Sequence, residues 1–111
     1  MMELPSSCVD YRGRSVSIPP EVAGHVVRRH PEMRGQLDKI CDVLNSPTLV
    51  YFRQRTDSYL FYKLGVLSGR VANNYMVVVV RYLDTGNLVK TAYSTGRPAS
   101  GDSLTFMHRG G

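Results

Sequence analysis

The stretch NYMVVVVRYLDTGNLVKTAYS, Asn74 to Ser94, decides the fold class. An unbroken apolar run, Met76 to Val80, leads through Asp84-Thr85-Gly86-Asn87 into a segment that alternates in character as far as Ser94. Two such runs around a tight-turn signal read as antiparallel strands of one hairpin. A strand that is apolar at consecutive positions is covered on both faces, so Met76 to Val80 reads as the centre of a sheet. Strict alternation places Leu88, Lys90, Ala92 and Ser94 on one face of the next strand, with Val89, Thr91, Tyr93 and Thr95 on the other.

Working outward, TLVYFRQ (Thr48 to Gln54) and SYLFYKLGV (Ser58 to Val66) are two further strands, rich in β-branched and aromatic residues. Upstream the pattern turns helical. Pro20 suits the first turn of a helix and Glu21 its N-terminal dipole; Pro31 disfavours helical geometry at His30, so the first helix ends near Arg29. Met33, Leu37, Ile40, Cys41 and Leu44 form one apolar helical face, which Asn45-Ser46-Pro47 stops. Before these, Val9 to Tyr11 and Val16 to Ile18 flank a turn at Arg12 to Arg14, a short lead-in hairpin or strand. Helices first and then a β-meander make the expected fold α+β. One domain spans 1–111, with its core at about 11–95 and an irregular tail, 96–111, that holds an edge strand near Leu104 to Met107.

Composition supports a single core: the chain has 111 residues, 42% of them hydrophobic. Met76 to Val80 falls far short of the roughly 20 residues that span a bilayer, and MMELPSSCVD lacks a basic region followed by an apolar one. A cytoplasmic protein with no membrane association is expected. Cys8 and Cys41 have no metal-ligand spacing and read as free thiols. The net charge of +5 permits attraction to nucleic acid or to an acidic protein, with nucleic acid modestly ahead. The seven tyrosines either stack on bases or fill a sheet.

Two stretches carry candidate chemistry. In GHVVRRHPEM, Gly24 to Met33, a spacing of 100° per residue puts His25, Arg28 and Arg29 on one side of the helix and His30 among the valines. His25, with cations one turn on, is the first candidate general base and His30 the reserve. In KTAYSTGR, Lys90 to Arg97, a strand end gathers Lys90, Tyr93, Ser94, Thr95 and Arg97. Attack by a ribose 2′-hydroxyl on its phosphodiester needs a base, an acid and donors around the developing charge, which such a strand end can help supply. Arg53, Arg55, Lys63 and Arg81 are similarly available as phosphate contacts, although a charge on a strand end usually just faces water. Asp38 and Asp42 read as a solvated helix face. No His-Glu-x-x-His, paired Cys-x-x-Cys or carboxylate cluster is present, so neither a metal nor a cofactor is expected.

The order of these pieces, a helix with His-x-x-x-Arg-His-Pro-Glu followed by TLVYFRQ, SYLFYKL, MVVVVRY and VKTAYST, resembles the phage-associated and toxin-associated nuclease domains of the barnase, EndoU, colicin and RelE-like superfamily. The resemblance covers about Tyr11 to Thr95. It implies two N-terminal helices packed on a four-stranded antiparallel β-sheet and metal-independent cleavage of RNA by 2′-hydroxyl transesterification, in a toxin or prophage module with an acidic antitoxin or immunity protein as partner. The roles it implies fall on His25 for proton transfer, Arg29 and Arg97 for charge, and Tyr93 or Thr95 as donor to the phosphate. Arg28, His30, Lys63, Arg81, Lys90 and Ser94 would contact substrate. The alternative is a non-catalytic RNA- or protein-binding module of the same fold. LSGRVANN, Leu67 to Asn74, lengthens the middle hairpin beyond the compact pattern.

Overall fold

The protein is seen in a computed structural model, in which residues 4–109 are described. The four expected strands form a contiguous antiparallel meander: β3 (Leu49–Arg53), β4 (Ser58–Lys63), β5 (Tyr75–Leu83) and β6 (Gly86–Thr95). They are not the whole sheet. The lead-in hairpin forms β1 (Ser7–Val9) and β2 (Ser15–Ser17), and β7 (Ser103–Met107) forms in the tail. The result is one seven-stranded sheet in the order β1-β2-β6-β5-β4-β3-β7. It is mixed, because β2 lies parallel to β6. Two helices on a four-stranded antiparallel sheet is therefore not the architecture. The lead-in pieces and the edge strand near Leu104 to Met107 are expected beside the four-stranded sheet rather than in it, because strands of three to five residues are too short to show where they pair.

The helical part is also smaller than its periodicity suggests. Helix α1 (Val22–Arg29) ends as expected before Pro31. The segment from Met33 to Leu44 breaks up into a 3₁₀ turn at Pro31–Met33, another at Leu37–Lys39 and a six-residue helix α2 (Ile40–Asn45). Its apolar residues are nonetheless inside, with Met33, Ile40 and Leu44 fully buried. The break comes at Gly35, whose φ of +77° a helix cannot accommodate. Buried Gln36 then fills the gap, its side chain accepting from the Ser68 backbone N–H at 2.7 Å and donating to the Glu32 carbonyl at 3.0 Å. These bonds tie the 67–74 segment to the helical layer, with Leu67 buried and Val71 packed on the core.

β5 is the fourth of seven strands and is covered on both faces, as its apolar run requires. On one face Met76, Val78 and Val80 join Val26, Ile40 and Leu44 in the main core under the helices. On the other, Val77 packs with Leu60 and Tyr62, flanked by Tyr51, Tyr75 and Tyr93. That second face is covered by the crossover 96–102, which leaves β6 opposite the start of β5 and enters β7 opposite the end of β3. Arg53 anchors its far end, donating twice to the Asp102 carboxylate at 3.0 and 2.8 Å.

The facing of β6 differs from strict alternation. The register shifts at Val79/Val80, where Lys90 is left without an opposite residue. This bulge turns Val89 and Ala92 together into the main core. Thr91, Tyr93 and Thr95 keep the other face. No described helix is long and apolar enough to cross a membrane.

Candidate functional site

The second sheet face carries a cleft of about 660 Å³, lined by Tyr62, Tyr93, Thr95 and residues 97–100 of the crossover. Register explains how β4 and β6 both reach it: Tyr62 and Tyr93 each lie opposite Val77, one on either side of the central strand. Two long phenols flanking a valine lean toward each other over it. The KTAYSTGR strand end thus forms one wall, and the crossover that follows it forms the roof.

Tyr93 is the centre of the polar network. Burial pushes its phenol above the usual tyrosine range, while the Arg53 guanidinium and hydrogen bonding from Arg53 and Tyr62 pull it back. At neutral pH it is a protonated donor held among other donors. Tyr62, fully buried, is pushed up to about 12 by burial and by the neighbouring Tyr93 phenol, against the backbone N–H of Ala99 and the charge of Arg53. Arg53 in turn is held by Asp102, so a chain of contacts runs from the crossover through Arg53 to Tyr93.

A histidine completes the cluster. The His30 ring lies 5.4 Å from the Tyr93 ring, at an interplanar angle of 33°. His30 caps α1, its backbone N–H donating to the Val26 carbonyl at 2.7 Å, and the non-helical geometry imposed before Pro31 turns it out of the helix toward β6. Beside it, Ser94 donates to the Glu32 carboxylate at 3.1 Å, tying the 3₁₀ turn to the strand.

The remaining candidates are distributed as follows. His25 is half-buried on α1, and among the described residues the imidazole that meets Tyr93 is that of His30. Arg28 and Arg29 are exposed at the end of α1, and the Arg28 guanidinium folds back beside Gly24. Thr95 lines the cleft, with its hydroxyl donating to the Arg97 carbonyl at 3.0 Å; Arg97 is exposed at the rim. Ser94 faces the helical layer, away from the cleft. Lys63 is engaged with Asp42 at 3.2 Å and with Ser46 at the end of α2. Arg81 lies 3.7 Å from Asp57, and its Nε is buried without a partner. Lys90 projects from the bulge into solvent.

Tyr62, Arg53 as a neighbour of Tyr93, and Asp102 are site residues that the sequence did not single out. Tyr62 had a visible signal in SYLFYKL, an aromatic in a strand otherwise occupied by core residues. Among the described residues no group of three or more His, Cys, Asp or Glu comes together. No family model, curated protein or solved structure matches the chain.

Proposed function

We propose that this protein is an endoribonuclease that cleaves RNA by attack of a ribose 2′-hydroxyl on the adjacent phosphodiester, with the cleft around Tyr93 as its active site. The observation that carries the reading is the contact of the His30 ring with Tyr93, 5.4 Å apart, where Tyr93 lines the cleft and has the Arg53 guanidinium and the Tyr62 phenol as neighbours. It brings a proton-transfer group, a protonated phenol and a fixed cation to one place, the set that transesterification requires.

In this reading His30 takes the proton from the 2′-hydroxyl, whose oxygen forms a bond to phosphorus. The bond from phosphorus to the 5′-oxygen breaks, and that oxygen takes a proton from water to leave as a 5′-hydroxyl, while the proton held by His30 passes back to solvent. The other product end is a 2′,3′-cyclic phosphate. Tyr93 donates to a non-bridging phosphate oxygen, and Arg97 at the rim offsets the charge that builds on the phosphorane. The resemblance to the nuclease superfamily supports the same chemistry, with a cytoplasmic toxin or prophage module and an acidic immunity protein as its setting.

The experiment is incubation of end-labelled RNA with purified protein in excess chelator, followed by analysis of the new 3′ ends. Cyclic phosphate ends that disappear with His30→Ala support the proposal. Cleavage that survives His30→Ala and is lost with His25→Ala would move the base back to α1. Intact RNA with the wild type would remove the catalytic reading and leave a binding module.

A further inference from the structure

Away from the cleft, the turn between β1 and β2 holds two arginines in a fixed arrangement. Asp10, only 2% exposed, accepts from the backbone N–H groups of Arg12 and Arg14, both at 2.9 Å, through one carboxylate oxygen. Its other oxygen accepts from the Tyr82 hydroxyl at 2.6 Å. The carboxylate is thereby consumed in shaping the turn, and the turn is tied to β5.

Both guanidinium groups then lie on the ring that Asp10 positions. Arg12 and Arg14 each have their guanidinium carbon 5.7 Å from the Tyr82 ring centre, and Arg12 is also 5.6 Å from that of Tyr11. Tyr11 itself packs on Phe61 and Phe106, so the base of the turn is rooted in the core. A phenol that donates to a carboxylate is electron-rich, which strengthens its hold on cations. None of the ion pairs among the described residues uses Arg12 or Arg14. Two like charges converge on one ring, and both residues are exposed.

We infer that the Arg12–Arg14 turn is a docking site for the phosphate backbone of single-stranded RNA, separate from the cleft at Tyr93. The inference rests on the nuclease reading for its choice of ligand. Guanidinium forks match phosphate oxygens, and here the stems are already immobilised, so little freedom is lost on binding. A protein partner would need apolar surface at the centre of its contact, and in this hairpin the only exposed large apolar residue is Val9. Tyr82 lies five residues beyond Val77, so the turn sits about 17 Å along the sheet from Tyr93, and on the helical side. Long RNA can reach both places; a dinucleotide reaches only one.

The test is fluorescence anisotropy with a labelled 2′-O-methyl oligonucleotide, which lacks the attacking hydroxyl, titrated across a salt series. The double variant Arg12→Gln/Arg14→Gln is compared with Arg34→Gln/Arg70→Gln, which removes the same charge from other exposed positions. The expected result is at least about a tenfold loss of affinity for the first variant only, with the slope of log affinity against log salt reduced by about 1.4, two contacts' worth. Equal losses in both variants, no loss in either, or displacement by polyglutamate as effective as by oligonucleotide would overturn the inference. Cleavage of a dinucleotide reporter, read in parallel, is expected to be unchanged by Arg12→Gln/Arg14→Gln. A wild type that cuts no reporter yet binds the oligonucleotide through Arg12 and Arg14 would defeat the nuclease reading and leave the docking site standing.

Discussion

Tyr93 combines the features of the site in a single side chain. It is buried enough to stay protonated, while the Arg53 guanidinium and the Tyr62 phenol beside it draw its pKa back down. Tyr93→Phe keeps the ring that packs on His30 and removes only the hydroxyl. Cleavage is expected to fall about a hundredfold, the scale of losing a positioned proton donor, while oligonucleotide affinity changes little. Asp10 is the matching test of structure: Asp10→Ala strands two backbone N–H groups and the Tyr82 hydroxyl, and urea titration should show a loss of about 2 kcal/mol. Tyr93, Thr95 and Arg97 were legible because they are contiguous at one strand end. Arg53, Tyr62 and Asp102 were not, because strand order and register bring them to Tyr93, and neither is written locally. His25 and His30 differ for another reason: a helical wheel assumes a continuing helix, whereas the residue before Pro31 leaves it and points its ring toward β6.

At the level of elements, the crossover 96–102 decides whether there is a cleft at all. Without it the Tyr62 face of the sheet would lie open to water; with it, residues 97–100 form a roof. Gly101, at φ +91°, lets the chain turn into β7, and Asp102 then meets Arg53. Asp102→Ala is expected to cost about 2 kcal/mol in urea unfolding, since the Arg53 guanidinium is left half-buried without its carboxylate. Cleavage should fall in the same variant, because Arg53 is also a neighbour of Tyr93. The tail looked irregular because glycine and proline dominate its first half, and those same residues are what a sharp crossover requires. The segment from Met33 to Leu44 shows the opposite case. Its apolar spacing correctly marked what is buried, while one glycine and one buried glutamine determined that the backbone would not be a continuous helix.

For the molecule as a whole, the meander could be read from its hydrophobic pattern, and so could the short outer pieces, but not their places in the sheet or the parallel pairing of β2 with β6. Short edge strands form because neighbours offer them unpaired backbone, and their own sequences carry little of that information. The finished sheet buries several phenols, and this has a consequence for stability against pH. The folded-state pKa of Tyr62 is raised to about 12 by burial, and those of Tyr82 and Tyr93 are raised in the same direction and for the same first reason. Stability from these groups is fully present below the unfolded tyrosine value of about 10 and is lost as pH climbs through the folded values. Urea midpoints should therefore hold steady to about pH 10 and fall between there and about pH 12, less steeply in Tyr62→Phe.

The chemistry assigned to the cleft has one direct test: a DNA oligonucleotide carrying a single ribonucleotide, incubated with the protein in excess chelator, with its products weighed by mass spectrometry. The expected result is one cut, on the 3′ side of the ribose, with a 2′,3′-cyclic phosphate on one fragment and a 5′-hydroxyl on the other. The all-deoxy strand should stay whole, and Tyr93→Phe should slow the cut. Cleavage at deoxy positions, fragments ending in a 5′-phosphate, or an oligonucleotide left intact would contradict it.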